Sequence, residues 1–361
     1  MKIGLIGLPN VGKSTLFNAL TNASVLAANY PFATIEPNTG IVPVPDDRLS
    51  VLAKMYKTDK IIPATVEFVD VAGLVAGASK GEGLGNKFLA NIRECDAICH
   101  VVRAFASNKI QRADSRNYSE NNLVDFAKND IEIIQTELAL ADIATLETHI
   151  PKIAKEAKAN PKLREKVDYL TSLQNELLEG KVPHEFDDEY LKDLQLLVAK
   201  PVIYLFNVDE NGLTDEKLQQ ELREIVTPAE SVFICAELES EIREMSEIDA
   251  QELLADYGVG ESGLAKLARS AYETLGLQSF LTAGPKEVRA WTVAKGAAAP
   301  EAAGVIHTDF QKGFIAAQVV SYPDLVREGS ESAARAKGLI RTEGKTYAMQ
   351  PDDIVEFRFN V

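Results

Sequence analysis

The residues with the clearest chemistry form one stretch near the start of the chain, Gly7-Leu8-Pro9-Asn10-Val11-Gly12-Lys13-Ser14-Thr15. It fits the pattern G-x-x-x-x-G-K-[ST], in which the Lys reaches the β- and γ-phosphates and the hydroxyl ligates Mg²⁺. A short buried strand is predicted before this stretch and a helix after it. A loop in that setting aims backbone N–H groups and the positive end of the helix dipole at one anion. The sequence therefore predicts that the chain binds a nucleoside triphosphate.

Two further segments carry residue types that serve the same ligand in nucleotide switches. The prolines and turn-forming residues of the segment 29–38 predict an irregular loop, and Thr34 is its candidate for a hydroxyl that closes onto Mg²⁺. A predicted strand ends in Asp70 and continues as D-x-x-G-L, where the carboxylate supports Mg²⁺ and Gly73 brings a backbone N–H to the γ-phosphate. Leu74 stands where small GTPases carry a Gln that orients the attacking water. Because an apolar side chain cannot hold water, hydrolysis requires another group.

The base-recognition segment is predicted at the end of a later buried strand, residues 200–206. It reads Asn207-Val208-Asp209-Glu210, where guanine-specific proteins carry N-K-x-D. In those proteins the Asp accepts two N–H bonds from guanine and the Lys stem packs on the base. Here Val208 replaces the Lys, Glu210 replaces the final Asp with a longer side chain, and Asp209 lies one position early. The chemistry argues against guanine specificity.

Composition and charge restrict the class of protein. The 361 residues are 46% hydrophobic and 25% charged, as in a globular protein of two or three domains. No apolar run approaches the ~20 residues of a bilayer span, and we expect no secretory leader. Three cysteines are too few for a disulfide framework, so we expect a cytoplasmic protein without a membrane segment. The net charge of −16 argues against indiscriminate binding to phosphate backbones.

A long helical pattern interrupts the nucleotide domain at residues 129–197. Apolar spacings of three and four on both sides of Asn160-Pro161 predict two amphipathic helices in an antiparallel, coiled-coil-like hairpin. The turn lies in a basic segment, residues 151–167, with six Lys or Arg against two Glu. This segment is either a solvated charged tip or a contact with RNA or the ribosome. The short turn favours packing within one chain, and therefore a monomer.

The strand predicted over residues 200–206 belongs again to the sheet of the nucleotide-binding domain. In residues 279–361 the sequence predicts several short strands and one helix. We therefore expect three domains. They are a nucleotide-binding domain (1–128 plus 198–278), a helical hairpin (129–197) and a small α+β module (279–361).

Together these residues resemble the YchF/Obg-like ATPase family of P-loop proteins over essentially the whole chain. The matching stretches are 7–15, 30–40, 70–85, 207–210 and 282–313. The last is similar to the family's TGS domain, a ubiquitin-like β-grasp. The resemblance implies an α/β fold with a P-loop GTPase-like doubly wound sheet, an inserted helical hairpin and a C-terminal TGS domain. It also implies a preference for ATP, base recognition by N-x-x-E, hydrolysis that is slow without help, and association with the ribosome.

The resemblance also bears on catalysis. Asn10 matches a position that is associated, in related proteins, with a K⁺ ion beside the phosphates. Such an ion could supply the positive charge that an arginine finger supplies in other nucleotide hydrolases. Some bacterial members carry a His after the strand that contains His100, in place of the missing Gln, and the alignment gives Gln111 here. Either Gln111 positions water, or the protein depends more on K⁺ or a partner.

The predicted site residues fall into three groups. Those for the nucleotide are Asn10, Val11, Gly12, Lys13, Ser14, Thr15, Gly73, Asn207, Val208 and Glu210. Ser14, Thr34 and Asp70 are predicted to hold Mg²⁺, and Lys13 and Gln111 to act in catalysis.

The leading function is a Mg²⁺-dependent switch that binds and slowly hydrolyses ATP in preference to GTP and associates with the ribosome, including rRNA at the hairpin tip. A GTP-specific translational GTPase is the first alternative. The second is a nucleotide-sensing binding protein with incidental turnover.

Overall fold

The computed structural model describes residues 1–27, 38–71, 84–107, 122–183, 185–243 and 245–360. The strands are β1 (Lys2–Ile6), β2 (Thr39–Pro43), β3 (Ile61–Ile62), β4 (Thr65–Asp70), β5 (Ala97–Arg103), β6 (Val202–Asn207), β7 (Glu230–Ile234), β8 (Leu277–Ala283), β9 (Val288–Ala294), β10 (Phe314–Ser321), β11 (Arg341–Glu343) and β12 (Asp353–Phe359). The helices are α1 (Lys13–Ala27), α2 (Asp47–Tyr56), α3 (Leu84–Arg93), α4 (Leu123–Ala157), α5 (Arg164–Leu178), α6 (Asp188–Leu191), α7 (Glu216–Val226), α8 (Ala236–Ile242), α9 (Glu247–Asp256), α10 (Gly263–Thr274), α11 (Ala299–Ile306), α12 (Thr308–Lys312), α13 (Tyr322–Glu328) and α14 (Glu331–Ala336).

The first sheet has the strand order β2-β4-β1-β5-β6-β7. Strand β1 pairs in parallel with β4 on one side and with β5 on the other, and β6 and β7 continue the parallel pairing. Every residue of β5 is buried, as expected for an inner strand of a parallel sheet covered on both faces. The chain starts at β1 and extends the sheet first to one side and then to the other. In such sheets ligands bind at the carboxyl ends of the strands, where the order reverses.

The helical hairpin consists of α4 and α5. Helix α4 has 35 residues, about 52 Å at 1.5 Å per residue, and the turn after it is capped by Asn160, whose side chain accepts a hydrogen bond from the Lys162 N–H at 3.3 Å. Leucines of both helices, with Leu146 and Leu173 among them, share one buried cluster. The hairpin predicted from the spacing of apolar residues is present.

The first helix of the hairpin begins earlier than its apolar pattern indicated. The pattern predicted a start near residue 129, whereas α4 begins at Leu123. Its first turns are buried against the sheet, with Ala127 and Ile131 beside Phe206. Contact with the sheet therefore extends the helix toward its N-terminus.

The second sheet has the order β11-β10-β12-β8-β9-β3. Its last strand comes from the N-terminal part of the chain, since Ile61 pairs with Val288 and Lys60 forms a 2.6 Å ion pair with Glu287. Helix α2 contacts β8 and β9 and buries Leu49, Leu52 and Ala53. The described residues thus form two compact units, one from the ranges 1–22, 38–40 and 67–264 and the other from the ranges 23–27, 41–66 and 265–360. The boundaries expected at residues 128, 198 and 278 stay predictions.

No helix in the described part of the chain has both the length and the apolar character that a membrane span requires.

Candidate functional site

The phosphate-binding loop connects β1 to α1, as the sequence predicted. The two glycines of the G-x-x-x-x-G-K-[ST] pattern are each required for a different structural reason. A Cβ at Gly7 would lie 2.7 Å from the Val101 carbonyl oxygen, so only glycine lets the loop approach β5 this closely. Gly12 has φ +93°, which disfavours other residues, and its carbonyl accepts a hydrogen bond from the Leu16 N–H at 3.0 Å as α1 begins. The loop therefore ends at a helix N-terminus, where free backbone N–H groups and the helix dipole favour the binding of an anion.

Lys13 and Asp70 are 57 residues apart in the sequence and in contact in the structure. The Lys13 ammonium forms a short ion pair with the Asp70 carboxylate and donates a second hydrogen bond to the Val71 carbonyl at 3.1 Å. Their side chains are 12% and 25% exposed. The cation expected at the β- and γ-phosphates thus lies beside the carboxylate expected to support Mg²⁺.

The oxygen donors at this place fit Mg²⁺. Ser14 is exposed in the first turn of α1, next to Lys13, and Asp70 ends β4. Within the described ranges no three His, Cys, Asp or Glu side chains are grouped to bind a metal by themselves. A phosphate-bound Mg²⁺ needs no such group, because it is held by one or two protein oxygens together with phosphates and water.

Asn207 connects three parts of the site. It is buried at the end of β6, and its amide nitrogen donates to the Val11 carbonyl in the phosphate loop at 2.9 Å. Its amide oxygen accepts a hydrogen bond from the Ala236 N–H, at the start of α8, at 3.1 Å. These bonds give Asn207 a role in supporting the loop, which the sequence analysis missed. Its contact with the base stays a prediction.

The other residues of the base-recognition segment point in different directions. Val208 is buried among Phe206 and Leu222, so its side chain belongs to the core. Asp209 accepts a hydrogen bond from the Gly212 N–H at 2.9 Å and therefore caps the following turn. Glu210 is exposed. It stands at the position where guanine-specific proteins read the base.

Several predicted residues lie outside the described residues, and their roles stay predictions: Thr34, Gly73, Leu74 and Gln111. His100 is described, and it is buried beside Tyr204 with a ring-centroid distance of 5.6 Å. Burial lowers the pKa of His100 to about 3, so the imidazole is neutral near pH 7.

Two family models match the chain. Residues 2–135 match a model described as a 50S ribosome-binding GTPase, and residues 277–360 match YchF-GTPase_C, described as a protein of unknown function. The ribosome-binding ATPase YchF of Haemophilus influenzae is 49% identical over 100% of this chain and 99% of its own length. The chain belongs to the YchF family. The ribosome-binding ATPase YchF of Bacillus subtilis is 46% identical over 99% of both chains.

Solved structures agree with this membership. The YchF GTPase of Schizosaccharomyces pombe has a TM-score of 0.86 and 35% identity, covering 99% of this chain and 97% of that one. A GTP-binding protein from Pyrococcus horikoshii, with 21% identity, a TM-score of 0.63 and full coverage of both chains, shares the fold. The sequence-based predictions of a P-loop GTPase-like fold and of a nucleotide-hydrolysing P-loop enzyme are confirmed for this YchF family member.

Proposed function

We propose that this YchF family member is a cytoplasmic, Mg²⁺-dependent switch that binds and slowly hydrolyses ATP in preference to GTP and associates with the ribosome. One observation carries the nucleotide part of this proposal. A phosphate loop with Lys13 and Asp70 in contact is combined with Val208 and Glu210 in place of the guanine-reading Lys and Asp. Relatives that match over the whole chain are named ribosome-binding ATPases, which supports the ribosomal part.

The preference for ATP follows from the base-recognition segment. Guanine offers two adjacent N–H donors to one carboxylate, and a longer side chain at Glu210 does not keep that geometry. Val208 is buried, so no Lys stem covers the base. We assign base reading to Glu210 and support of the phosphate loop mainly to Asn207, whose amide atoms both bond to backbone groups.

Mg²⁺ and the catalytic residues are part of the proposal. Ser14, Thr34 and Asp70 would hold Mg²⁺, which neutralises charge that develops on the phosphates. Lys13 binds the β- and γ-phosphates, and Gln111 is the candidate for orienting water in the absence of a Gln at position 74. We also propose a K⁺ ion beside Asn10 as a source of positive charge. Equal hydrolysis rates in Na⁺ and K⁺ buffers would contradict the K⁺ site.

The basic segment 151–167 is the proposed contact with ribosomal RNA. It surrounds the turn of the hairpin, at the far end of α4. Lys152, Lys155 and Lys158 are exposed, and none has a carboxylate within ion-pair distance among the described residues. Cations of this kind bind phosphates and release counterions, and their contribution falls as salt rises.

Charge reversal tests the ribosome contact. Replacing Lys152, Lys155 and Lys158 by Glu should weaken co-sedimentation with ribosomes, while equilibrium binding of ATP stays within twofold of wild type. The matched control replaces Lys181, Lys192 and Lys217 by Glu, which makes the same change in net charge elsewhere in the same unit. Equal co-sedimentation of the two triple variants with ribosomes would show that the hairpin tip is not the contact.

Equilibrium binding of ATP and GTP to nucleotide-free protein, with Mg²⁺ and K⁺, tests the base preference. ATP should bind at least tenfold more tightly, about 1.4 kcal/mol. Tighter binding of GTP would instead support a translational GTPase. Turnover that stays negligible in the presence of K⁺ and ribosomes would support a nucleotide-sensing protein. The sequence argument for this alternative is the apolar Leu74, which cannot orient water for hydrolysis.

A further inference from the structure

The orientation of the Asn207 amide depends on the position of helix α8. The Ala236 N–H, at the start of α8, donates to the amide oxygen of Asn207 at 3.1 Å. Asn207 uses its amide nitrogen for the Val11 carbonyl of the phosphate loop, at 2.9 Å. Because the amide group is planar, the bond on its oxygen side decides where its NH₂ group points. The bond from Asn207 to the phosphate loop is therefore made only while α8 begins at this place.

Glu239 ties α8 to helix α10. It lies in the first turn of α8 and is 3% exposed. Its side-chain oxygen Oε1 accepts a hydrogen bond from the N–H of Gly263, the first residue of α10, at 2.6 Å. Its own backbone N–H donates to the Cys235 carbonyl at 3.0 Å, so its side chain is joined to the helix start by a short and ordered segment.

The donor of this bond, Gly263, is packed directly onto the end of β7. A Cβ at Gly263 would lie 2.4 Å from the Ile234 Cγ1 atom, too close for two carbon atoms that are not bonded to each other. Ile234 is the last residue of β7 and is fully buried. The start of α10 is thus fixed against the sheet, and it fixes α8 through Glu239.

We propose that Glu239 is a positioning residue for nucleotide binding, which holds α8 in place and thereby directs Asn207 at the phosphate loop. The connection consists of three hydrogen bonds between buried groups: Gly263 to Glu239, Ala236 to Asn207, and Asn207 to Val11. Water does not replace a bond that is lost in such a place. Because the connection ends on the phosphate loop, it acts on ATP and GTP alike. The inference rests on the proposed nucleotide site but not on its preference for ATP.

Equilibrium binding of ATP and of GTP to the nucleotide-free full chain, with Mg²⁺, tests this role. Glu239→Ala removes the acceptor for the Gly263 N–H, and we expect both nucleotides to bind about tenfold more weakly with an unchanged affinity ratio. Glu239→Gln keeps an oxygen acceptor and should bind both nucleotides within about threefold of wild type. In an Asn207→Ala background, Glu239→Ala should cost no further affinity, because Glu239 acts through Asn207.

Asp142→Ala is the matched control. The Asp142 side chain is fully buried and accepts a hydrogen bond from the Val198 N–H at 2.8 Å. Val198 precedes β6, whereas Asn207 ends it, so this bond lies away from the nucleotide loops. The control leaves another buried backbone N–H without its acceptor, and both affinities should equal those of wild type.

A second variant covers the case in which Glu239→Ala does not fold. Glu239→Asp keeps the carboxyl group but shortens the side chain by one methylene, which withdraws it from Gly263, and both affinities should again fall by the same factor. Unchanged affinity in a folded variant, an equal loss in the Asn207→Ala background, or an equal loss in Asp142→Ala overturns the inference and leaves the proposed function standing. If wild type binds neither nucleotide, the proposed site fails and the inference fails with it.

Discussion

Replacing Asn207 by Ala tests how the phosphate loop is held. The substitution removes two hydrogen bonds, one of 2.9 Å to Val11 and one of 3.1 Å from Ala236. Both lie in a buried environment, so the freed carbonyl and N–H do not regain water. At about 1 kcal/mol for each bond, the total cost is about 2 kcal/mol, and more if both groups stay unpaired.

This cost is divided between folding and binding. If the loop keeps its shape without the bonds, the free energy of unfolding falls by about 2 kcal/mol. If the loop relaxes, the nucleotide must restore its shape and affinity falls, at most about 30-fold for the same energy. Urea unfolding and equilibrium binding of ATP and GTP measure the two parts. Because the bonds reach the loop, we expect both nucleotides to lose affinity by the same factor.

Asn160→Ala is the control, since it removes a single exposed cap whose 3.3 Å bond lies at the hairpin turn. It should cost about 1 kcal/mol or less and leave both affinities unchanged. The reasoning is refuted if Asn207→Ala changes neither stability nor affinity. A selective loss of ATP would show instead that Asn207 reads the base.

Three further predictions concern Gly12, Asp142 and His100. Gly12→Ala places a Cβ 2.2 Å from the Asn207 amide nitrogen at φ +93°, so we expect at least tenfold weaker ATP binding; affinity within twofold of wild type would contradict this. Burial raises the pKa of Asp142 to about 6, so its contribution to stability is present below its unfolded pKa of about 4 and is lost as pH rises toward 6. Asp142→Asn keeps the acceptor for the Val198 N–H. Its free energy of unfolding, measured in urea, should rise by about 2–3 kcal/mol relative to that of wild type as the pH goes from 4 to 7. A difference between the two proteins that does not change with pH would refute this prediction. His100 should show no NMR titration between pH 5 and 8, and a midpoint near 6.5 would show that its ring reaches water.

The sequence was most informative where chemistry and local backbone geometry coincide. The phosphate-loop pattern fixes a strand, a turn and a helix start within one short segment, and parallel strands bring their carboxyl ends to one edge. For that reason Lys13 and Asp70 could be predicted to belong to one site, although their direct contact was not predicted. The helical hairpin was also predictable, because its apolar spacing persists over many turns.

Contacts that depend on tertiary packing had no such signal. Tyr257 directly follows α9 and packs in one cluster with Leu213 of the turn after β6, a contact that its local sequence does not indicate. The loop-supporting bonds of Asn207 use backbone groups at Val11 and Ala236, and backbone groups are the same in every sequence. Strand β3 has only two residues, Ile61 and Ile62, too few for an alternating pattern.

The placement of α2 and β3 in the second unit has a consequence for how the chain is made. Lys60 and its partner Glu287 are 227 residues apart. At about 5–20 residues per second, a translating ribosome needs roughly 10–45 s to produce the second after the first. Throughout that interval Leu49 and Leu52 lack the sheet that buries them. The second unit therefore cannot complete its sheet before β12 has been made. A shortened product that ends before β8 and β9 leaves the apolar face of α2 uncovered, which is the kind of surface that quality-control proteases and chaperones recognise.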